Sequence, residues 1–404
     1  MAAVLALAAC ASDDAAADDP TDADPETTQA DAEDDADESD LENGDAEGDD
    51  AGAGSDLDGL SLEELEERAH EEGEVTVYSF TSRIAAVKDA WEAAYPDIEM
   101  HELDINSTEQ IARITAEQDA DNVTVDAVYI SDAPEVLGEL VADDRLQGYV
   151  PPDFADVLPA EYQEPLMANR LSTKVLMYSE DAYPDGAPID NLWELTEPEW
   201  TGRVITTSPE VRGDFLDLFT EIALRDAEMA AAYEDHFGEP IEVDSDLDGA
   251  GEQFLADLWA NDLVVLESND DVADAIGAIG QDEPPIGFST YSNIRDNEEE
   301  GWALALANDV QPSPGIIYPA YLAVVDDAPN PAAARLLIHF MMGDDSPTGG
   351  AAYEPFYVPG DYPTRTDLDT PEGALELDDF RAWHIDPAQV FDRRFDIADL
   401  LLTL

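Results

Sequence analysis

The stretch from Glu74 to Pro96 constrains the fold of this chain more than any other. A short run rich in β-branched and aromatic residues predicts a strand at its start. Apolar residues then recur at spacings of three and four, which predicts a helix that ends at Pro96. The loop that joins the two is polar, so free backbone N–H groups at the helix N-terminus face outward. This stretch predicts an α/β unit with a small-ligand site, and the candidate side chains are Ser79, Thr81 and Ser82.

The same order of strand, polar loop and helix recurs later in the chain. Strands predicted at 123–130, 204–207 and from Pro285 onward each run into a polar loop. This alternation predicts two α/β lobes, and ligands of such sheets bind in the crevice outside the carboxyl ends of the strands. Arginine is rare in this chain and its guanidinium binds oxyanions through two N–H groups, so an arginine in such a loop is a candidate anion ligand. The candidate ligand-binding residues of these loops are Asp132, Ser208, Arg212, Gly213, Tyr291 and Ser292.

The charge of the chain excludes one class of partner. The formal net charge is −82, with 16 Lys and Arg against 98 Asp and Glu. Such a surface repels phosphates, which excludes nucleic-acid binding. Because dissolved salt screens self-repulsion, we interpret this surface as adapted to very high salt. The alternative is an acidic protein of a low-salt organism.

The first ten residues predict a membrane anchor. An apolar run from Met1 ends at Cys10, the single cysteine of the chain, and its last four residues resemble a lipoprotein cleavage box. We expect a lipid at Cys10; the alternative is an accidental cysteine in an alanine-rich leader. No Lys or Arg precedes this run, so we expect translation to start upstream. No other segment approaches the length of apolar sequence that spans a membrane.

The next fifty residues predict an extended tether. Residues 11–60 contain 21 Asp or Glu, no Lys or Arg, and almost no large apolar side chains. A segment of this composition cannot bury enough apolar surface to fold. The sequence from Ser61 to Glu64 is a capping box, which predicts that the first helix starts there.

Several short motifs, taken in order, resemble extracellular solute-binding proteins of ABC importers. The similarity runs from Gly73 to Asp367 and is strongest to the ferric-ion-binding subgroup. It implies a type 2 periplasmic-binding fold, with two lobes, crossover strands as a hinge and a ligand in the cleft. We divide the chain accordingly into 61–172 with 311–345 (lobe 1) and 173–310 with 346–404 (lobe 2). The motifs are Gly73–Ser79, Trp91–Pro96, Asp126–Asp132, Glu199–Arg203, Ala328–Ala334 and Tyr362–Arg365.

The resemblance also implies a ligand set. Asp132 stands where many ferric binders have a carboxylate, and Tyr291 matches the first of their tyrosine pair, whose second position is Ser292 here. A hard trivalent cation prefers such anionic oxygens, so ferric ion is the leading ligand, with Asp132 and Tyr291 as its predicted ligands. Ser82 stands where a histidine often occurs. The loop that holds a synergistic anion in that subgroup is matched by Ser208, Arg212 and Gly213.

These observations predict a binding protein rather than an enzyme. It would be a monomeric receptor without a cofactor, anchored at the extracellular face of the membrane (periplasmic if there is an outer membrane). Hinge closure would deliver ferric ion, with or without an anion, to an ABC importer permease. One alternative ligand is a small oxyanion-bearing organic solute such as a phosphonate or a thiamine-like compound. Two more functions stay open: an extracellular hydrolase that uses paired carboxylates, and a surface sensor with the same fold.

Overall fold

The computed structural model describes residues 57–404. The predicted signal at 1–10, with Cys10, and the tether up to residue 56 lie outside the described residues. The helices are α1 (Leu62–Glu72), α2 (Ile84–Ala94), α3 (Ser107–Asp119), α4 (Ala133–Glu135), α5 (Gly213–Leu224), α6 (Asp226–Phe237), α7 (Ala250–Ala260), α8 (Asn269–Gly277), α9 (Asn297–Glu300), α10 (Pro331–Met341), α11 (Gly350–Tyr353) and α12 (Pro387–Leu401). A π-helical turn, Val136–Val141, continues α4.

Within residues 57–404, twelve strands form one continuous sheet, and eight of them follow the order β2-β1-β3-β10-β5-β8-β6-β7. The short strands β4 and β12 pair with β10, and β9 and β11 pair with β5. The strands are β1 (Glu74–Ser79), β2 (Glu99–Asp104), β3 (Ala127–Ile130), β4 (Leu146–Gln147), β5 (Met167–Ser179), β6 (Val204–Thr207), β7 (Val264–Leu266), β8 (Ile286–Ser289), β9 (Leu304–Leu306), β10 (Gly315–Val325), β11 (Tyr362–Pro363) and β12 (Trp383–His384). Strands β1 to β3 are parallel to one another, and so are β6 to β8. The two long strands β5 and β10 pair antiparallel between these groups.

The apolar side chains separate into two regions along this sheet. One region packs around β1, β2 and β3 with α2 and α10, and the other packs around β6 and β8 with α5 and α7. Strand β10 contributes Ile316 to the second region and Leu322 to the first. Strands β5 and β10 therefore pass from one lobe to the other, and the predicted two-lobed α/β fold is confirmed.

The local signals in the sequence explain where the elements begin. Ser61 and Glu64 form the predicted capping box of α1, and Gly73 ends that helix in the left-handed region at a φ of 82°. Strand β3 begins at Ala127, four residues later than predicted. Asp126, just before it, still bonds through its backbone to Thr76 of β1 and Val325 of β10. The carboxylate of Asp126 also accepts hydrogen bonds from the backbone N–H of Thr76 at 2.7 Å and of Asn330 at 2.6 Å.

Two segments depart from the predicted division of the chain. The sequence predicts residues 57–60 as part of the tether, but Leu57 and Leu60 pack on the first lobe, and Asp58 pairs with Arg335 at 2.7 Å. The predicted division places residues 350–356 in the second lobe, but Phe356 is buried in the core of the first. In both segments, the burial of apolar side chains determines which lobe the backbone joins. No helix within residues 57–404 is long and apolar enough to cross a membrane.

Candidate solute-binding cleft

A cavity of about 310 Å³ opens between the two lobes. Its walls are loops at the carboxyl ends of strands from both lobes, and its floor is formed by β5 and β10. This is where the alternation of strands and helices predicts a ligand site. The first lobe contributes Phe80, Thr81, Ser82, Arg83, Asp104 and Asn106; the second contributes Val211, Arg212, Glu267, Ser268, Asn269, Asp270, Thr290, Ser292, Asn293 and Arg295; and the crossover strands contribute Arg170, Ser172, Lys174 and Tyr318.

Basic side chains are concentrated in this cavity. Five of the 16 Lys and Arg residues of the chain line it: Arg83, Arg170, Lys174, Arg212 and Arg295. The lining also includes three acidic residues, Asp104, Glu267 and Asp270, so basic side chains outnumber acidic ones here, on a chain with a net charge of −82. Such a cleft attracts anions from solution.

One group of these cations surrounds Asp361. Nη1 of Arg83 lies 2.7 Å from Oδ2 of this carboxylate, and Arg170 forms a direct ion pair with Oδ1. Burial by itself raises the pKa of Asp361, but the charges of Arg170 and Arg83 outweigh it, and the pKa falls below its usual value. The carboxylate is therefore ionised and holds both guanidinium groups in place. Arg295 is also close enough to contribute to this lowering.

This arginine group has hydrogen-bonding capacity to spare. Nε of Arg170 donates to the Tyr129 hydroxyl at 2.5 Å, while Nη2 is buried and has no hydrogen-bond partner among the described residues. Oγ of Ser292, in the same cavity, is likewise buried without a partner in residues 57–404. A buried polar group without a partner costs free energy, so both groups favour a bound solute that would complete them.

A second group of cations surrounds Asp214. Nη2 of Arg212 lies 2.8 Å from this carboxylate and Nζ of Lys174 lies 3.0 Å from it. Nζ of Lys174 also donates to the hydroxyls of Tyr318 at 2.6 Å and Thr290 at 3.0 Å. Burial alone raises the pKa of Asp214, but Arg212 and Lys174 outweigh it, and the pKa is held well below its usual value.

The sequence matches the family of bacterial extracellular solute-binding proteins over residues 75–350. The chain belongs to this family. It is a solute-binding receptor of an ABC importer, and it works at the cell exterior or in the periplasm. Membership of a family of transport proteins favours the predicted binding protein over the alternative hydrolase.

Known structures of solute-binding proteins share the fold. Iron-bound HitA from Pseudomonas aeruginosa has a TM-score of 0.62 at 17% identity, covering 82% of this chain and 98% of HitA. AfuA from Actinobacillus pleuropneumoniae, with fructose 6-phosphate bound, has a TM-score of 0.59 at 16% identity, covering 82% and 97%. AgtB from A. tumefaciens, in complex with agropinic acid, has a TM-score of 0.59 at 15% identity, covering 82% and 98%. No curated protein matches the chain in sequence.

Four of the predicted ligand-binding residues of this solute-binding protein line the cavity: Thr81, Ser82, Arg212 and Ser292. Three others lie behind it. Oγ of Ser79 donates to the carbonyl of Thr81 at 3.0 Å and so supports the loop. The backbone N–H of Ser208 donates to Leu266, and that of Gly213 donates to Oγ1 of Thr108 at 3.3 Å.

The two predicted metal ligands, Asp132 and Tyr291, are not brought together. Asp132 is fully buried outside the cavity, where Nη1 of Arg394 donates to it at 2.6 Å. The hydroxyl of Tyr291 accepts a hydrogen bond from the backbone N–H of Leu375 at 3.4 Å and lines a separate recess. No group of three or more His, Cys, Asp or Glu side chains in the described part of the chain could hold a metal ion.

Sequence reasoning missed Arg83, Arg170, Lys174, Arg295 and Tyr318 as cleft residues. A signal was available for the cations. The rarity of basic residues, which singled out Arg212, applies equally to Arg170 and Lys174, which lie on the long strand β5. A basic side chain on a buried strand needs a buried partner, and here each has one in Asp361 or Asp214.

Proposed function

We propose that this protein captures a small organic solute carrying an oxyanion group, such as a phosphate, phosphonate or carboxylate, and passes it to the permease of its importer. The single observation that carries the proposal is the cluster of five basic side chains around one cavity, with Nη2 of Arg170 still unpartnered in residues 57–404. Guanidinium groups bind phosphate and carboxylate through paired N–H donors. The cavity volume of about 310 Å³ suits a small metabolite.

The charge of the cleft argues against a bare ferric ion. A trivalent cation placed among these guanidinium groups would be repelled by each of them. A ferric complex with an organic anion is the second candidate, because its carboxylates would meet the arginines. Iron-bound HitA, which has the same fold, is the observation that favours it.

Capture would proceed by closure of the lobes. Thr81 and Ser82 from one lobe and Arg212 and Ser292 from the other face the same cavity. A solute that contacts both walls binds the closed form more tightly than the open form. It therefore shifts the equilibrium toward the closed form by that difference in binding free energy. Arg170 and Lys174 lie on β5, between the walls, and bind from the floor.

We further propose that a lipid on Cys10 anchors the protein and that residues 11–56 tether it in a highly saline medium. The composition of the segment and the net charge of −82 support this. Cys10→Ser should release the protein from membranes of the producing cell, whereas its retention in the membrane fraction would contradict the lipid anchor. Unfolding followed in decreasing KCl tests the salt adaptation, which undiminished stability without salt would refute.

The ligand is tested by isothermal titration calorimetry in molar KCl. The probes are fructose 6-phosphate, inorganic phosphate, ferric citrate and ferric ion with a non-coordinating counter-ion. We expect at least one organic anion to bind with a 1:1 stoichiometry. Arg170→Gln should weaken this binding about a hundredfold, which corresponds to the loss of about 3 kcal/mol from a charge-assisted contact.

Arg381→Gln is the matched control, because Arg381 is exposed and makes one long ion pair of 3.6 Å with Asp309. It should leave the affinity unchanged. Binding of ferric ion alone, with no response to the organic anions, would overturn the proposal in favour of a metal receptor. Binding of ferric citrate alone would select the second candidate.

A further inference from the structure

A cluster of ionisable side chains lies outside the cleft, around Arg394. The guanidinium of Arg394 donates to both carboxylate oxygens of Asp132, at 2.6 and 3.3 Å. Its Nη1 is also 3.2 Å from Glu135 and 3.7 Å from Asp217. The side chains of Arg394, Asp132 and Asp217 are exposed by 3% or less, and that of Glu135 by 18%. One cation thus contacts three carboxylates in a buried setting.

This cluster joins the two lobes. Asp132 and Glu135 belong to the first lobe, where β3 runs into α4, while Asp217 lies on α5 of the second lobe. Helix α12, which carries Arg394, packs on both: Ile397 lies in the core of the second lobe. On the other side, the ring of Phe391 lies so close to Gly138 in the first lobe that a Cβ there would be 2.5 Å from it.

The cluster also borders the cleft. Asp132 lies against Gly213 so closely that a Cβ on this glycine would come within 1.8 Å of Oδ2 of Asp132. The backbone N–H of Gly213 reaches across to Thr108 of the first lobe. Its neighbours in the chain are Arg212, which lines the cavity, and Asp214, which holds Arg212. The position of Asp132 therefore determines where this part of the cavity wall lies.

We propose that Arg394 is a positioning residue whose ion pairs latch the two lobes together beside the cleft and so set the solute affinity without contact with the solute. A buried carboxylate that loses its cation is left uncompensated. Without Arg394, Asp132 and Glu135 of one lobe would repel Asp217 of the other, and the lobes would separate. A cavity that needs both lobes would then be assembled in a smaller fraction of the molecules.

The protonation of the cluster agrees with this role. Burial, together with the charge of Asp132, raises the pKa of Asp217 well above its usual value, although Arg394 opposes the shift. Burial is also the main reason that the pKa of Glu135 rises to about 7, with Asp132 adding to it and Glu139 contributing a little. The other charged group facing Asp217 is Asp214, which is neutralised by Lys174 and Arg212. At pH values above these raised pKa values the carboxylates are ionised together, and the guanidinium of Arg394 is then the cation that compensates them.

The test measures the distance between the lobes without any solute. Spin labels on Ala116→Cys in α3 and Asp271→Cys in α8, in a Cys10→Ser chain, report this distance by pulsed electron resonance. We expect Arg394→Gln to lengthen and broaden the distance distribution. In calorimetry, the affinity for fructose 6-phosphate, or for whichever organic anion binds the wild type, should fall about tenfold.

The control is Arg393→Gln, one residue earlier on the same helix. Arg393 pairs with Asp248 and Glu252 of the second lobe and with Asp396 of its own helix, so its loss should leave the distance distribution unchanged. Arg394→Lys keeps the charge but not the two-pronged contact, and it should give an intermediate distribution. Such a partial return toward the wild-type distances would depend on the charge at this position, and so would distinguish a latch from a general loss of packing.

The same distribution in Arg394→Gln as in Arg393→Gln would overturn the latch. If Arg394→Gln does not fold, an unchanged distribution in Arg394→Lys would overturn it as well. Because the distance is measured without solute, this outcome is independent of whether an organic anion is the ligand. A failure of every anion to bind, with the distances changed as expected, would contradict the proposed ligand and leave the latch supported.

Discussion

The cleft and the Arg394 cluster use the same chemical groups in different proportions. In the cleft, five basic side chains meet five carboxylates: three in the lining, and the buried Asp361 and Asp214 behind it. In the cluster, the single guanidinium of Arg394 contacts three carboxylates. In the cleft, Nη2 of Arg170 remains free for a bound anion among the described residues, whereas the carboxylates that outnumber Arg394 in the cluster can be neutralised only by protons. The first arrangement suits recognition of a solute, and the second suits control of the distance between lobes.

The largest effect should follow from removing a carboxylate that the cleft cations share. Asp361→Asn leaves the buried guanidinium groups of Arg83 and Arg170 without their common partner. We expect the free energy of unfolding to fall by about 3–5 kcal/mol, as for other broken buried ion pairs. Urea unfolding in molar KCl measures this.

Asp309→Asn is the control for that substitution, because the side chain of Asp309 is 88% exposed. It should change the free energy of unfolding by less than about 0.5 kcal/mol. If both variants lost a similar amount of unfolding free energy, Asp361 would contribute no more to stability than a surface carboxylate. That result would contradict its role as the shared partner of the cleft arginines.

A smaller effect concerns the cluster and depends on pH. Since the pKa of Glu135 is raised from 4.5 to about 7, the folded chain binds more protons than the unfolded chain between these values. The free energy of unfolding should therefore fall as pH rises from about 4.5 to about 7, by about 2 kcal/mol for this group. Urea unfolding at a series of pH values measures the slope.

Glu135→Gln should flatten that part of the pH profile, because glutamine cannot ionise. Glu63→Gln, on the exposed face of α1, serves as the control and should leave the slope as it is in the wild type. If the pH dependence of the free energy of unfolding were unchanged in Glu135→Gln, the raised pKa of Glu135 would not be its source. The proposed electrostatic difference between the cluster and the cleft would then be contradicted.

The smallest effect separates recognition from stability within the cleft. Ser292→Ala removes a buried hydroxyl that has no partner in the described residues, so the free energy of unfolding should not fall. The affinity for the bound anion should drop about fivefold, which corresponds to about 1 kcal/mol for one hydrogen bond.

Ser79→Ala, which removes a loop-supporting bond to Thr81, should lower stability instead. Calorimetry and urea unfolding together give both numbers, and a stability loss in Ser292→Ala would contradict this assignment.

The sequence predicted the helices and strands well, because their positions depend on local patterns of residues. The capping box at Ser61, the strand Val204–Thr207 and the helix that starts at Ile84 lie where turn chemistry and apolar spacing put them. The loops after β1, β6 and β8 line the cavity, as the alternation of strands and helices predicts.

The candidate site was predicted only in part, because side-chain direction depends on partners far away in the chain. Asp132 looked like a cleft residue from its place after β3, but Arg394, 262 positions later, binds it in a different space. Arg170 became part of the site through Asp361, 191 positions away. No local pattern specifies such pairs, so a position after a strand predicts which loop is near the ligand and not which side chain touches it.

The placement of Arg170 and Lys174 on the strand that runs through both lobes has one more consequence. In the proposed closure, a strand shared by both lobes lies on the axis of motion, so these charges would stay at the same place whether the lobes are open or closed. At molar salt the range of electrostatic forces shrinks to about 3 Å. An approaching anion would then not be repelled by the acidic exterior. The cations that first attract it, Arg170 and Lys174, would be the same ones that contact it in the closed complex.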